Sequence, residues 1–213
     1  MTDLPRTVSE PAVQRLGREH VDDVISTLCD AFRDYPVMRY VLAARGEPEP
    51  ERLRRLVTLF VLARVLRNEP LLGVPCDDGF DAVAIVSSPG GNTPPEFAEL
   101  RAAVWRDLGA DAEARYDAYS RAAAPLIVDV PHIHLNMIGV RRRFQGTGLG
   151  RLLMEEVHRL SRDDPRSQGV TLCTERRGNI PFYERFGYRI TGHARVAPEL
   201  ETWAFFRQDS EQV

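Results

Sequence analysis

The chain contains no lysine, since all 28 of its basic residues are arginine. A protein without lysine cannot form a Schiff base through a side-chain amine, anchor pyridoxal phosphate, or hold a nucleotide with a Walker-type loop. Cysteine is also scarce: Cys29, Cys76 and Cys173 lie too far apart to predict a disulfide framework or a CxxC metal site. The five histidines lack the spacing of metal ligands, so we predict no metal.

Long hydrophobic runs are absent as well. The longest, residues 56–63, is too short to cross a bilayer, and residues 1–10 lack the apolar centre of a signal peptide. The few, widely spaced cysteines favour a reducing cytoplasm, so we expect a cytoplasmic protein without a membrane partner. The net charge of only −3 gives no reason to expect a nucleic-acid partner. The 213 residues, 43% of them hydrophobic, predict a single domain over 1–213 with a large core.

Hydrophobic periodicity predicts a mixture of helices and strands. Helices are expected over 19–32, 51–66, 95–108, 111–124, 150–162 and 179–186. Strands are expected over 7–16, 71–74, 82–87, 132–140, 169–174, 188–195 and 202–207, the last two as a hairpin. This order predicts an α/β or α+β sheet domain.

One segment carries a ligand-binding pattern. Residues 138–151 read IGVRRRFQGTGLGR, which is the end of a strand, a basic loop and a glycine-rich turn that starts a helix. Glycines allow close approach, and the helix start offers free N–H groups to an anion such as a pyrophosphate. Arg141, Arg142, Arg143 and Arg151 are expected to add positive charge. Arg151 replaces the third glycine of a dinucleotide fingerprint, and without lysine the segment is no P-loop.

The remaining pattern, Gln145-x-x-Gly148-x-Gly150 after an apolar strand, resembles the acetyl-CoA loop of the GCN5-related N-acetyltransferase (GNAT) superfamily. Residues 179–188, NIPFYERFGY, resemble the second signature of that family. The resemblance implies a central, mostly antiparallel twisted sheet of six or seven strands, flanked by helices and splayed at the cofactor site. Within the family, residues 31–36, 179–185 and 202–203 are most similar to puromycin N-acetyltransferases, which would make antibiotic resistance one use of the activity.

The resemblance implies acetyl-CoA as the co-substrate, held by a core of about residues 132–190. Cofactor contacts are expected from Ile138, Gly139, Val140, Gln145, Gly146, Thr147, Gly148, Leu149, Gly150, Arg151 and Asn179. The predicted reaction moves the acetyl group to a primary amine of a small molecule by direct attack in a ternary complex. The alternatives are a protein N-terminus or lysine as the acceptor, and a non-catalytic acyl-CoA-binding regulatory domain. The protein is expected to be a monomer or a homodimer.

Acetyl transfer to an amine needs a base for the ammonium and an acid for the departing sulfur. Tyr183 is the candidate acid, because a phenol is protonated at neutral pH; otherwise it is a packing aromatic. Glu175, after the strand over 169–174, is the candidate base, or a strand-end charge paired with a neighbouring arginine.

The acceptor pocket has three further candidates. The resemblance places the first two helices over the acceptor, which suggests Asp34 and Tyr35 as pocket residues. His134 has a suitable reference pKa for base work, but a merely structural histidine is the alternative that the sequence favours. Cys173 lies among apolar neighbours, so no cysteine-bound acetyl group is expected.

Overall fold

A computed structural model describes residues 12–43 and 46–209. The strands of this part are β1 (Gln14–Leu16), β2 (Leu71–Cys76), β3 (Gly79–Ser87), β4 (Ile133–Val140), β5 (Gly169–Thr174), β6 (Arg189–Ala197) and β7 (Leu200–Gln208). The helices are α1 (Val21–Phe32), α2 (Pro36–Val41), α3 (Pro50–Leu66), α4 (Glu96–Leu108), α5 (Ala110–Ala123), α6 (Leu149–Asp163) and α7 (Ile180–Glu184). The beginning of the predicted first strand, 7–11, lies outside the described residues.

The seven strands form one sheet in the order β1-β2-β3-β4-β5-β7-β6. Every neighbouring pair is antiparallel except β4 and β5, which are parallel. This confirms the predicted sheet and the predicted hairpin of β6 and β7. Within the described ranges, no helix is both long and apolar enough to cross a membrane.

Helices cover both faces of the sheet. One core cluster packs α1 to α5 against one face, with Leu28, Leu56 and Ile85 fully or almost fully buried at its centre. The other packs α6 and α7 against the opposite face through Leu153, Val157 and other buried residues. The spacing of four in the last pair puts both side chains on one side of α6, as its amphipathic sequence predicts.

The sequence analysis predicted no element between the helices over 19–32 and 51–66, whereas the structure forms α2 there. Pro36 occupies the first turn of this helix, where the missing N–H of proline does no harm. Met38 and Val41 are then buried in the first core cluster. Six residues are too few to show a hydrophobic periodicity, so packing against the core, rather than the local sequence, stabilises this helix.

The parallel strands β4 and β5 separate after a short contact. Their pairing runs only from Ile133 with Val170 to Leu135 with Leu172, although β4 continues to Val140. Beyond this point, α1 crosses close to β4: a Cβ added to Gly139 would lie 2.9 Å from the Cβ of Ala31. Gly139 therefore permits the close approach of α1.

A buried histidine makes the stability of this fold dependent on pH. His158 of α6 is 6% exposed, and its Nε2 lies 3.0 Å from the Tyr188 hydroxyl. Burial, together with Arg207 and Arg162, lowers the pKa of His158 to about 3, from an ordinary value near 6.5. The unfolded chain therefore binds this proton more readily, and stability present above about pH 6.5 is lost as the pH falls toward 3.

We expect the free energy of unfolding to fall by about 2 kcal/mol more between pH 7 and pH 5 in the parent protein than in His158→Gln. The glutamine cannot take up the proton that the unfolded histidine binds. Urea unfolding at the two pH values measures the difference. The exposed His193 provides a control for the loss of a histidine as such, since His193→Gln keeps the buried imidazole of His158. An equal loss in the parent and in His158→Gln would contradict the assignment.

Candidate functional site

A cleft of about 830 Å³ opens where β4 and β5 separate. Its walls come from α1, the end of β4, the glycine-rich turn, the start of α6, and α7. The lining residues are Ala31, Phe32, Tyr35, Ile138, Gly139, Val140, Gln145, Gly146, Gly148, Gly150, Arg151, Glu155, Arg176, Asn179, Phe182, Tyr183, Arg185 and Phe186. The two sequence signatures thus meet in one cleft.

The glycine-rich turn has the geometry of an anion site. Gly146 and Gly148 have φ angles of +82° and +94°, a region that residues with a Cβ rarely adopt. A Cβ at either position would meet no heavy atom within 4 Å, so the turn faces open space. The backbone N–H groups of Arg151 and Leu152 both donate to the carbonyl of Gly148. The N–H groups at the very start of α6 have no acceptor within their own helix, and they lie at the positive end of its dipole.

The ionisable side chains that line the cleft favour an anion. The charged residues in the lining are three arginines, Arg151, Arg176 and Arg185, and one acidic residue, Glu155. Of the three arginines, the sequence analysis singled out only Arg151. The other two lie just before and within the second signature, so their position beside that motif was the available signal.

The three consecutive arginines of the basic loop do not line the cleft, contrary to the prediction. Arg141 Nε donates to the carbonyl of Phe80 over 2.8 Å. Arg142 forms an ion pair with Asp34 at 3.0 Å. Arg143 lies over the ring of Phe144, 4.6 Å from its centroid. Partners on other elements hold the first two, which a local motif cannot show.

Tyr183 has a buried ring and a hydroxyl that forms no hydrogen bond within the described part of the chain. The residue is 6% exposed, and its ring packs against Phe182 and Phe205 with centroids 5.3 and 5.6 Å away. Among the described residues, no hydrogen-bond partner of the Tyr183 hydroxyl is found. Burial, with a smaller contribution from Glu175, raises the pKa of Tyr183 well above its usual range. The phenol is therefore protonated at neutral pH.

Glu175 lies at the end of β5 but is buried rather than solvated. Its Oε1 accepts hydrogen bonds from the hydroxyls of Tyr119 and Thr202, each over 2.8 Å. Burial raises the pKa of this carboxyl, and the two hydrogen bonds partly oppose the rise. The structure gives it no ion pair with Arg176 or Arg177, the alternative considered from the sequence.

A hydrogen-bond network joins the link between α1 and α2 to the end of β5. The Tyr35 hydroxyl lies 2.9 Å from Thr174 Oγ1 and accepts the N–H of Glu175 over 3.2 Å. Asn179 Nδ2 donates to the same threonine oxygen over 3.2 Å. Asn179 precedes α7 without a capping hydrogen bond from its side chain, which instead ties the start of α7 to the end of β5.

Asp34 is held in an ion-pair cluster. Its carboxylate pairs with Arg142 and with Arg176, and the guanidinium of Arg176 lies 5.4 Å from the Tyr35 ring centroid. Two arginines thus share one carboxylate at the edge of the cleft. Asp34 orients a cleft arginine and does not itself line the cleft.

Four other predicted residues also lie outside the lining of the cleft: Glu175, which is described above, and Thr147, Leu149 and His134. Thr147 donates to the carbonyl of Phe144 on the outer side of the turn, and Leu149 packs toward the second core cluster. His134 lies near the start of β4, with Nδ1 2.8 Å from Thr171 Oγ1. Burial, with His132 and Arg64 nearby, lowers the pKa of His134 to about 4, so its ring is neutral at pH 7.

Cys173 has the setting of an unreactive thiol. The residue is half-buried in β5, and burial together with Glu175 raises the pKa of its thiol to about 12. A nucleophilic cysteine needs a thiolate at neutral pH, which this environment disfavours. Among the described residues, no cluster of three or more potential metal ligands is found.

Comparison with known proteins gives consistent matches. Residues 107–190 match the model of the acetyltransferase (GNAT) domain. An uncharacterized N-acetyltransferase of Schizosaccharomyces pombe is 25% identical over 190 residues, which cover 83% of this chain and 74% of that protein.

Two solved structures have the same fold. One, described as histone acetyltransferase HPA2 and related acetyltransferase from Corynebacterium glutamicum, is matched over 96% of this chain and 100% of its own, with a TM-score of 0.65 and 18% identity. The other, arylalkylamine N-acetyltransferase 2 from Aedes aegypti, is matched over 93% and 98%, with a TM-score of 0.62 and 18% identity.

The family match includes both sequence signatures, and the structure brings them together in one cleft. The finer resemblance to puromycin N-acetyltransferases stays a prediction. The matched domain, the N-acetyltransferase relative and the shared fold agree with one another: residues 107–190 carry an acetyltransferase (GNAT) domain, and the chain has the fold of the N-acetyltransferases that it matches.

Proposed function

We propose that the protein transfers an acetyl group from acetyl-CoA to the primary amine of a small molecule, by direct attack of the amine while both substrates are bound. One observation carries the proposal: the unpartnered, protonated hydroxyl of Tyr183 lies in the same cleft as the anion-binding turn of α6. Such a cleft offers a place for a charged carrier and a proton donor for its leaving group.

The residues present fit coenzyme A. The open turn at Gly146 and Gly148 and the start of α6 suit a pyrophosphate, which Arg151 would help to neutralise. The end of β4, Ile138 to Val140, lines the cleft and is no longer paired with β5. The backbone of this part of β4 can therefore pair with the extended, amide-containing pantetheine of coenzyme A. Acetyl-CoA, when bound there, supplies the activated thioester.

Tyr183 is proposed as the general acid. Burial raises the pKa of its hydroxyl, so Tyr183 Oη carries its proton at neutral pH. From there it would donate a hydrogen bond to the sulfur as the C–S bond breaks and supply the proton that the departing thiolate takes up. The aromatic neighbours Phe182 and Phe205 fix the ring and exclude water from this part of the cleft.

Glu175 is proposed as the base that receives the proton of the amine, directly or through water. Its raised pKa brings a carboxylate closer to the pH at which proton transfer is efficient. The hydrogen bonds from Tyr119 and Thr202 stabilise the ionised form and fix its orientation. The N–H of Glu175 and the Tyr35 hydroxyl tie this carboxylate to the wall of the cleft.

A small acceptor is supported by the neighbours of this fold. The matched structure from Aedes aegypti is an arylalkylamine N-acetyltransferase, and another matched structure is a polyamine N-acetyltransferase from Drosophila melanogaster. Both names describe small amines as acceptors. Because both matches are below 25% identity, they show a shared fold and not a shared acceptor. The acceptor class is therefore part of the proposal and has its own test.

The test is thiol release from acetyl-CoA with a panel of acceptors. The panel contains aromatic alkylamines, polyamines, an aminonucleoside, a peptide with a free N-terminus and a lysine peptide. We expect acceptor-dependent release of thiol with one or more of the small amines, and mass spectrometry should show the acetylated amine. Release with the peptides alone would contradict the small-molecule acceptor, and release with no member of the panel would contradict the proposal as a whole.

A further inference from the structure

An asparagine in the middle of the sheet is exposed. Asn136 belongs to β4, the fourth of seven strands, and its chain neighbours Leu135 and Met137 are both buried. Ile85 pairs with Met137, while Val86 pairs with Leu135, so Asn136 is an extra residue without a partner on β3. This β-bulge lies beside the last residues at which β4 still contacts β5. The side chain of Asn136 is therefore open to solvent close to the point where β4 and β5 separate.

The Asn136 side chain lies on the face of the sheet opposite α6. Arg64 of α3 and Ser87 at the end of β3 both contact the side chain of Asn136. Since α3 packs on one face of the sheet and α6 on the other, Asn136 points away from the helix that starts at the glycine-rich turn. The exposed amide of Asn136 therefore belongs to the face that carries α3.

The orientation of the Asn136 amide follows from its partners. Arg64 Nη1 lies 2.9 Å from Oδ1, and a guanidinium can only donate, so the contacted atom must be the carbonyl oxygen. The Ser87 hydroxyl donates to the same oxygen over 2.8 Å. Arg64 is itself held by an ion pair with Glu69 at 3.0 Å. Nδ2 therefore projects on the other side, and in the described part of the chain it has no acceptor.

We propose that the Asn136 amide recognises the amine acceptor by donating a hydrogen bond to one of its oxygen atoms. The acceptor class is a primary amine that also carries a hydroxyl, ether, carbonyl or carboxylate oxygen. The inference rests on the proposed function and adds a specificity-determining residue to it. A fixed, two-donor amide favours such an amine over an isostere that has a methylene in place of the oxygen, because only the first satisfies the amide.

Asn136→Asp tests the donor without changing the shape. The aspartate retains an oxygen that accepts from Arg64 and Ser87, but its second oxygen cannot donate. The experiment compares kcat/KM for an oxygen-bearing amine, chosen from the acceptors that the wild type uses, with kcat/KM for its methylene isostere. We expect the ratio to fall about tenfold in the variant, with KM for acetyl-CoA within about twofold of wild type.

Two further variants keep the test decisive. Asn136→Ala removes both the carbonyl oxygen that Arg64 and Ser87 contact and the amide donor. It should bring the ratio of the two kcat/KM values near one even if the aspartate variant folds poorly. Asn68→Asp makes the same chemical change at another exposed asparagine, which follows α3 and is not part of β4, and its ratio should match wild type.

The outcomes separate the two proposals. An unchanged ratio in folded Asn136→Asp and Asn136→Ala, with amines still acetylated, overturns the role of Asn136 alone. Thiol release by wild type with none of the amines overturns the proposed function and this inference with it. A fall in the ratio that is confined to the Asn136 variants supports the inference.

Discussion

Tyr183→Phe should lower kcat by ~10²–10⁴-fold while acetyl-CoA binds almost as before. The substitution removes one hydroxyl and keeps the ring that packs against Phe182 and Phe205. The hydroxyl acts when the sulfur departs, so its loss affects the transition state more than the bound cofactor. Single-turnover rates should be measured together with kcat, because a slow product release would mask part of the effect.

Tyr188→Phe is the matched control for this experiment. Tyr188 also loses one hydroxyl from a buried ring, but that hydroxyl contacts His158 and does not line the cleft. We expect lower stability with nearly unchanged single-turnover rates. If acetylation by Tyr183→Phe stays within about twofold of wild type, the proton comes from elsewhere and Tyr183 is a packing residue.

Gly148→Asp should weaken acetyl-CoA binding by about 10- to 100-fold, since charged hydrogen bonds at an anion site are worth about 1.5–3 kcal/mol. The new carboxylate would lie in the open turn at the start of α6, where the pyrophosphate is expected. Calorimetric titration of the folded variant with acetyl-CoA measures the loss.

The φ angle of +94° at Gly148 means that any side chain adds strain, so a neutral control of the same shape is required. Gly148→Asn provides it, because asparagine tolerates the left-handed region about as well as aspartate does. We expect the asparagine variant to bind acetyl-CoA clearly better than the aspartate variant. Equal affinities of wild type and Gly148→Asp would show that the pyrophosphate binds elsewhere.

The sequence by itself determined the features that depend on neighbouring residues in the chain. The glycine-rich turn before α6 could be predicted because only glycine easily adopts the angles found at Gly146 and Gly148. The amphipathic helix α6 follows from spacing, and so do the apolar strand β4 and the closing hairpin. Two local signatures on either side of β5 were enough to indicate the family and to place Tyr183 beside the turn.

The tertiary structure alone decided what depends on distant partners. The sequence predicted that Arg141 and Arg142 contribute to the anion site. In the structure, Arg141 donates to the Phe80 carbonyl and Arg142 pairs with Asp34, so neither lines the cleft. Arg176, which belongs to neither motif, does line it. The sequence left Glu175 as either the candidate base or a strand-end charge paired with an arginine, whereas in the structure it is buried and accepts hydrogen bonds from hydroxyls of α5 and β7.

The surroundings of Asn136 likewise depend on residues that are distant in the chain. In the sequence it is one polar residue in an apolar strand. Its exposure and the direction of its amide exist only because β4 bulges there and because α3 brings Arg64 to its carbonyl. Local sequence fixes φ and ψ preferences and periodicity, while burial, ion pairing and pKa are set by residues that the fold brings together from far along the chain.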